Sequence, residues 1–296
     1  MAVSEVLDIY VDIRKANNKT GRLYLKPLYE YFGSYPATSI TKKMCRDYKT
    51  WRTSKPTGGK NWKPKSFRPP KQRSADLELA YLRSAINTAV NEDIYITENN
   101  SKFDIKTTQT SKIDKPSFSK EQARAFVDLA VWHLKLFLVI SFQSGHRKQA
   151  VLELTWDRVD FRNRSINFIK NNSEETNKRR GVIFFKEHSE LHNLLNIGYK
   201  RKTCDFVIEW NGTRVQNIKH AWDNTLYKLQ RAHNSWDLRG LTPHSTKHTA
   251  ILWQLKERVP MTTIALHTAT DIKTLMKHYS SYDESMGYEA ITATEF

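Results

Sequence analysis

Cysteine is scarce in this chain of 296 residues, and its start shows no secretion signal. The two cysteines, Cys45 and Cys204, lie far apart in the sequence. Their spacing is typical neither of metal ligands nor of a disulfide framework. An intracellular, reducing compartment is therefore expected. The first ten residues, MAVSEVLDIY, lack the basic and then apolar segments of a signal peptide, which agrees with that expectation.

Long uninterrupted apolar runs are also missing. The most apolar stretch, residues 125–142, is interrupted by Asp128, His133 and Lys135. A membrane-spanning helix needs about 20 mainly apolar residues, so these interruptions indicate a buried helix of a soluble protein with no membrane partner. The hydrophobic content of 39% is still sufficient for packed cores and argues against a disordered chain.

Acidic residues are outnumbered, with 31 Asp and Glu against 48 Lys and Arg, a formal net charge of +17. Such an excess favours a polyanionic partner, because cations that neutralise phosphates release condensed counterions. Nucleic acid is favoured over a membrane surface, since no amphipathic basic helix is evident.

Residues 53–74 contain no acid, and Pro and Gly-Gly interrupt any regular pattern. Trp62 and Phe67 alternate with the basic residues, which is typical of a loop that follows a phosphate backbone. A solvated insertion is the alternative. The predicted DNA-binding residues of this segment are Lys55, Lys60, Lys63, Lys65, Arg68, Lys71 and Arg73.

Hydrophobic periodicity predicts a chain that is mainly helical with one small antiparallel β-sheet. Residues 74–95 are predicted to be an amphipathic helix with Ser74 as its N-cap and an apolar stripe of Leu77, Leu79, Ala80, Leu82 and Ile86. Ser119 and Gln122 have the spacing of a capping box. The strand candidates are residues 165–170, 181–185 and 205–210.

The expected domain organisation follows from these elements. A helical, DNA-binding domain comprises residues 1–98, and a polar linker comprises residues 99–118. Residues 119–296 form a second domain, which ends in a tail.

Three strings in this second domain resemble the boxes of the tyrosine recombinase (phage integrase) family, in the same order. SGHRKQAVLELTWDRVDF, residues 144–161, resembles the first box, in which a threonine or serine, a glycine, any residue and an arginine precede a helix. TPHSTKHTA resembles the second box, which is normally His-x-x-Arg-His-Thr. ATDIKTLMKHYSSY, residues 269–282, resembles the region around the nucleophilic tyrosine. The resemblance covers roughly residues 116–290 and implies a two-domain clamp on duplex DNA.

The resemblance assigns roles that suit the chemistry of these side chains. Tyr279 would attack phosphorus and form a 3′-phosphotyrosyl bond, which needs assistance because a phenol has a pKa of about 10. Arg147 would hold the non-bridging oxygens through two parallel hydrogen bonds. His244 would donate to the phosphate and transfer protons. Lys247 lies one turn further along the same helical face, so both side chains can point at one phosphate. Lys178 would protonate the 5′-oxygen, with Asn177 as an alternative register and Lys170 as a reserve.

Two positions depart from the family pattern. Lys247 stands where the family usually has a second arginine, so it retains the charge and loses the bidentate fork. Thr270 stands where a histidine or tryptophan is usual, and His267 is a candidate to compensate. Tyr282 is a rival nucleophile. His248 is expected to face elsewhere and to be a buried, structural residue.

The expected function is that of a metal-independent, cofactor-free site-specific recombinase of a phage, plasmid or integrative element. Its partner would be double-stranded DNA, contacted also by Arg179 and Arg180, and it would act as a homotetramer in the cytoplasm of a bacterial host. An accessory DNA-bending protein is left open. The alternatives are a DNA-binding protein that has lost the chemistry, a topoisomerase-like relaxing enzyme and, with little support, an RNA-binding protein.

Overall fold

The computed structural model of the protein describes residues 1–13, 19–54, 70–92, 94, 116–169 and 181–279, with the backbone alone for residues 19–23.

The chain divides into two compact units, Met1–Ser111 and Lys112–Phe296. The division falls within residues 99–118, the predicted linker, most of which lies outside the described residues. Each unit has its own hydrophobic core. The fold class predicted from the sequence, mainly α with a small antiparallel sheet, is confirmed.

Helices form the described part of the first unit. They are α1 (Val3–Ile13), α2 (Lys19–Phe32), α3 (Lys42–Ser54) and α4 (Gln72–Asn91), with a 3-10 turn at Ala37–Ser39. The apolar residues of α1 recur at helical spacing, and Val3, Val6, Leu7 and Tyr10 are buried. Helices α1, α2 and α3 all pack against α4, which is the centre of this unit.

Helix α4 differs from its prediction at its start and on its buried face. It begins at Gln72, with Lys71 at the N-cap position and no side-chain cap, so Ser74 lies within the first turn. Leu77 is 42% exposed and Ala80 is also exposed, although both are predicted to belong to the apolar stripe. The predicted stripe combined two faces of the helix, whereas the buried face follows a period close to 3.6 residues through Ala75, Leu79, Leu82, Ile86 and Ala89.

Charged side chains are buried where α3 meets α4. The carboxylate of Glu78, which is 1% exposed, accepts hydrogen bonds from Tyr48 Oη at 2.6 Å and Arg52 Nε at 3.0 Å. Lys49 forms a second ion pair with Asp76. Because a buried carboxylate is costly unless it is paired and hydrogen-bonded, these contacts fix how α3 packs on α4.

The second unit contains the remaining described helices. They are α5 (Lys120–Leu129), α6 (Trp132–Ser144), α7 (Lys148–Leu152), α8 (Glu190–Arg201), α9 (Lys219–Ala232), α10 (Ser245–Lys256), α11 (Met261–His267) and α12 (Ile272–Tyr279). The predicted capping box at the start of α5 is confirmed, since Ser119 and Gln122 exchange both hydrogen bonds. Helix α6 is apolar on nearly all sides because α5, α7, α8 and α10 pack around it.

A small antiparallel sheet lies beside these helices. Its order is β1 (Val159–Asp160), β2 (Ser165–Asn167) and β3 (Val182–Phe184), with Ile166 paired to Val159 on one side and Ile183 on the other. Two strand candidates, residues 165–170 and 181–185, are therefore present in shorter form.

The third strand candidate, residues 205–210, is wrong in extent and in location. Only Glu209–Trp210 is a strand (β4), and it pairs with Thr213–Arg214 (β5) in a separate hairpin. Phe206 instead forms an isolated bridge with Thr155. Burial of Val207 and Ile208 accounts for the apolar run that suggested a longer strand.

Among the described residues, no helix is long and apolar enough to cross a membrane. The same residues contain no group of three or more His, Cys, Asp or Glu side chains placed to hold a metal ion.

The buried pair Tyr48–Glu78 predicts a measurable contribution to stability. Tyr48→Phe should lower the free energy of unfolding by about 1–3 kcal/mol, because it removes a hydrogen bond from a buried charged acceptor. Urea titration followed by circular dichroism measures the change. Tyr29→Phe is the matched control, since Tyr29 donates at 2.7 Å to Asp8, whose carboxylate is exposed and can be rehydrated. Equal losses in the two variants would contradict the assignment.

Candidate active site

The turn after α6 brings the first box to the second and third boxes. Gly145 ends α6 in the left-handed conformation, with φ of 59°. A Cβ atom at this position would lie 2.7 Å from Thr268 Cγ2 and 3.3 Å from Ala250 Cβ. Both the backbone conformation and the close approach therefore require glycine here. Arg147 follows at the N-cap position of α7.

Lys247, on the first turns of α10, connects this turn to the segment between α11 and α12. Its side chain is 5% exposed, and its ammonium group donates to the carbonyl oxygens of Gly145 at 2.9 Å and Thr268 at 2.6 Å. Gly145 and Thr268 are the C-cap residues of α6 and α11. Carbonyl groups at helix C-termini lack intrahelical partners and carry partial negative charge, so a cation is favourable there.

Burial, and to a lesser extent the nearby positive charge of Arg147, lowers the pKa of Lys247 from its ordinary value of 10.5 to about 7. The sequence predicts that Lys247 and His244 point together at one phosphate. In the structure His244 is exposed, whereas Lys247 is buried against backbone carbonyls. Two of the three ammonium hydrogens of Lys247 are used in these contacts.

Arg147 is partly buried and lies next to the same segment. Its Nη1 donates to the carbonyl oxygen of Ala269 at 3.2 Å. Ala269 has a φ of 49°, in the left-handed region that alanine rarely occupies. Lys247 and Arg147 thus bind consecutive carbonyls, those of Thr268 and Ala269. Two cations are held close together here, and a phosphate group would stabilise both.

Tyr279 is the last residue of α12 and is 5% exposed. Its ring packs with Ile251, Leu255 and other apolar residues of α10, α11 and α12. Its hydroxyl group is hydrogen-bonded to Nδ1 of His248. The nucleophile candidate of the third box is thereby in contact with the second box.

His248 is buried as predicted, but the prediction that it faces away from the site is wrong. Its ring also meets the ring of His244 edge to face, with centroids 4.7 Å apart. The four-residue spacing of His244 and His248 does indicate that they lie together, because residues four apart share a helix face just as residues three apart do. The sequence argument used the pair His244 and Lys247 and overlooked the pair His244 and His248.

The side chains of Thr270 and His267 are both hydrogen-bonded to other groups of the protein. Thr270 is buried, and its hydroxyl group is hydrogen-bonded to Thr268 Oγ1 at 2.8 Å and donates to the Thr268 carbonyl at 3.3 Å. His267 donates from Nε2 to the carbonyl oxygen of Gln143 at 2.7 Å. The His267 contact connects the last residue of α11 to the end of α6, whereas the Thr270 contacts stay within the segment between α11 and α12.

His146, between Gly145 and Arg147, is a site residue that the sequence did not indicate. Its ring stacks on Phe168 with centroids 4.0 Å apart, and its Nε2 accepts a hydrogen bond from the Gly181 backbone at 3.3 Å. Burial lowers the pKa of His146 to about 3, so the ring is neutral and donates from Nδ1 to the Ser144 carbonyl. The family pattern allows any residue here, so it carries no signal.

Several predicted residues lie outside the described part of the chain. These are Lys178, Arg179 and Arg180 with the alternatives Lys170 and Asn177, the segment with Lys55, Lys60, Lys63, Lys65 and Arg68, and the rival nucleophile Tyr282. Lys71 and Arg73 are described and are exposed at the start of α4.

Solved structures of DNA integrases resemble this chain over nearly its whole length. A segment of the Tn1549 transposon integrase in complex with circular intermediate DNA has a TM-score of 0.74, covering 97% of this chain and 99% of its own at 18% identity. A lambda integrase dimer bound to a core site has a TM-score of 0.66, covering 95% of this chain and 77% of its own at 14% identity. The chain has the tyrosine recombinase fold. The resemblance inferred from the three boxes is thus confirmed at the level of the fold.

A second lambda integrase structure, a tetramer bound to a Holliday junction, has the recombinase fold as well. Its TM-score is 0.65 at 12% identity, with 92% of this chain and 78% of that chain covered. No family model matches the sequence, and no curated protein sequence matches it either.

The environment of Lys247 predicts a dependence of stability on pH. The folded protein binds this proton less tightly than the unfolded chain, so unfolding takes up a proton between about pH 7 and the ordinary pKa of 10.5. The free energy of unfolding should therefore rise with pH in this window, by at most about 1.4 kcal/mol per pH unit relative to Lys247→Met. Below pH 7 the two curves should run parallel.

Urea titrations between pH 6 and pH 10 measure this difference. Lys256→Met, at an exposed position in the same helix, is the matched control and should follow the unchanged protein. A Lys247→Met curve parallel to that of the unchanged protein over the whole range would contradict the burial of an ionisable ammonium.

Proposed function

We propose that this protein is a site-specific DNA recombinase that cleaves and rejoins strands through a covalent bond between Tyr279 and a 3′-phosphate. The observation that carries the proposal is the contact of the Tyr279 hydroxyl with His248 of the second box. The same box supplies Lys247, which is held together with Arg147 on consecutive carbonyl groups. A nucleophilic hydroxyl, a proton-transfer group and fixed positive charge are what phosphoryl transfer to a phenol requires.

Cation placement supports this reaction. In the transition state, negative charge accumulates on the non-bridging oxygens of the phosphate, and donors held in position beforehand lower the barrier. Arg147 is held through Nη1 by Ala269, so its position does not depend on substrate. His244 is exposed at the start of α10 and supplies a further donor to the phosphate.

Double-stranded DNA is the proposed substrate. The net charge of +17 favours a polyanion, and the integrases of similar fold were solved with transposon, core-site or Holliday-junction DNA. We place DNA contacts in the helical domain, residues 1–98, as well as in the catalytic domain, residues 119–296. Strand exchange would involve a homotetramer on two DNA sites, in the cytoplasm of a bacterial host.

The alternative is a protein of the same fold that binds DNA without cleaving it. Two observations favour it, the use of Lys247 by backbone carbonyls and the enclosure of the Thr270 hydroxyl. At most one ammonium hydrogen of Lys247 remains for a phosphate oxygen. Covalent adduct formation distinguishes the two functions directly.

Covalent capture tests the proposal. The full chain is mixed with a pool of nicked duplexes of randomised sequence, in which loss of the short cleaved fragment traps the adduct, and a denaturing gel resolves the protein–DNA species. We expect an adduct that is lost in Tyr279→Phe and forms at least about 100-fold more slowly in Arg147→Lys, because removal of one fixed oxyanion donor costs 10²–10³-fold in rate.

Tyr227→Phe is the matched control, since Tyr227 is 65% exposed on α9 and its loss should leave the adduct unchanged. Noncovalent binding at low salt should be similar in all variants. Binding of the pool without any adduct would contradict the enzyme and support the DNA-binding alternative. An adduct that persists in Tyr279→Phe would show that another residue is the nucleophile.

A further inference from the structure

The hydroxyl group of Tyr279 contacts His248, and this contact has a chemical consequence beyond the roles assigned to these residues so far. Tyr279 Oη and His248 Nδ1 are hydrogen-bonded inside the protein, where both side chains are more than nine-tenths buried. A phenol with a pKa of about 10 is a poor nucleophile at neutral pH unless a base accepts its proton. An imidazole is the side chain best suited to that role near pH 7.

We propose that His248 is the general base that removes the phenolic proton of Tyr279 during strand cleavage. This inference rests on the proposed function. It divides the work of the second box between two histidines: His244 acts on the phosphate, and His248 acts on the nucleophile. His248 qualifies as a catalytic residue because it touches the reacting oxygen.

The tautomer of His248 follows from the contact. For Nδ1 to accept the phenolic proton, the neutral ring must carry its hydrogen on Nε2. The helix that carries His248 is anchored at the next residue, because Thr249 accepts a hydrogen bond from the Phe118 backbone at 3.0 Å and donates to the Ser245 carbonyl at 2.8 Å. The edge-to-face contact with His244 covers the ring on another side. Nδ1 is therefore held at the phenol before DNA arrives.

The proposed step is balanced in both directions. In cleavage, the proton of Tyr279 Oη passes to His248 Nδ1 as the Oη–P bond forms and the P–O5′ bond breaks. The 5′-oxygen leaves with a proton from the general acid, for which Lys178 is the candidate from the sequence. In rejoining, a 5′-hydroxyl returns its proton to Lys178 as it attacks phosphorus, the Oη–P bond breaks, and His248 returns its proton to the departing phenolate.

A competing interpretation is that His248 only holds Tyr279 in place. His248→Asn separates the two roles, because the asparagine side chain places an amide group close to the position of Nδ1, where it can hydrogen-bond but cannot take a proton. A holding role predicts that this variant cleaves at nearly the rate of the unchanged protein. A base role predicts a rate that is lower by 10²–10⁴-fold, the usual contribution of general base catalysis.

The experiment uses the full chain and a nicked duplex selected from the randomised pool by its adduct with the unchanged protein. The rate of adduct formation is measured on this duplex and on a version with sulphur in place of the bridging 5′-oxygen. The thiolate leaves without a proton, so the sulphur duplex isolates the step on Tyr279. We expect His248→Asn to be slow on both duplexes. Recovery of His248→Asn on the sulphur duplex would overturn the proposal, because it would make His248 the acid for the leaving group.

Two further variants test whether a lower rate of adduct formation results from a folding defect. His188→Asn, at an exposed histidine of the same unit, is the matched control and should cleave normally. His248→Ala opens a cavity, and we expect added imidazole to restore part of its adduct formation. Thermal melting and noncovalent binding of the duplex are measured for each variant.

The outcomes distinguish this inference from the function on which it rests. An adduct from the unchanged protein that is lost in Tyr279→Phe but retained within threefold in His248→Asn overturns the role of His248 and leaves the recombinase intact. A slow His248→Asn with unchanged melting, or rescue of His248→Ala by imidazole, supports the role. Absence of any adduct from the unchanged protein overturns both.

Discussion

The ammonium group of Lys247 holds together segments of the site that are far apart in the sequence. Through hydrogen bonds alone it bridges the carbonyl groups of Gly145, which is 102 residues earlier, and Thr268, which is 21 residues later. A buried ammonium is destabilising unless its hydrogens are satisfied, and here the carbonyl groups of two helix C-termini satisfy it. The positions of the other site residues depend on this bridge.

Arg147 and Tyr279 illustrate that dependence. Arg147 lies two residues after Gly145 and binds the carbonyl of Ala269, which directly follows Thr268. Tyr279 ends the helix that begins shortly after this segment, and it returns to α10 through His248. A lysine suits the centre of this arrangement, because its compact ammonium fits between two carbonyls, whereas a planar guanidinium fork is wider. The departure from the family's arginine thus coincides with a structural role for the lysine.

Local sequence signals predicted the parts of the protein that depend on local physics. The capping box of Ser119 and Gln122 and the helical pattern follow from spacing within short segments, whereas the three boxes were identified by their resemblance to the family. The start of α4 was misplaced because Ser74 is a good N-cap residue by composition, whereas the helix begins earlier without a side-chain cap. The run at residues 205–210 is buried without being a continuous strand, and apolar periodicity alone does not separate these cases.

Contacts between distant segments could not be read from spacing. The partners of Lys247 are backbone carbonyls, which every residue has, so the sequence carries no mark of them. His146 occupies a position where the family pattern specifies no residue, and its packing on Phe168 depends on how the sheet lies against the turn. His248 was predictable in part, since it shares a helix face with His244, but its contact with Tyr279 requires the docking of α12 on α10.

The identity of the residue that carries the DNA tests the central claim most directly. The covalent adduct, digested with nuclease and protease, would be sequenced by tandem mass spectrometry. The account predicts a nucleotide joined through its 3′-phosphate to Tyr279, at the end of α12. The same group on Tyr282, on Tyr288 or on a side chain other than tyrosine would contradict it, because the hydrogen bond to His248 and the burial of Tyr279 would then have no part in cleavage.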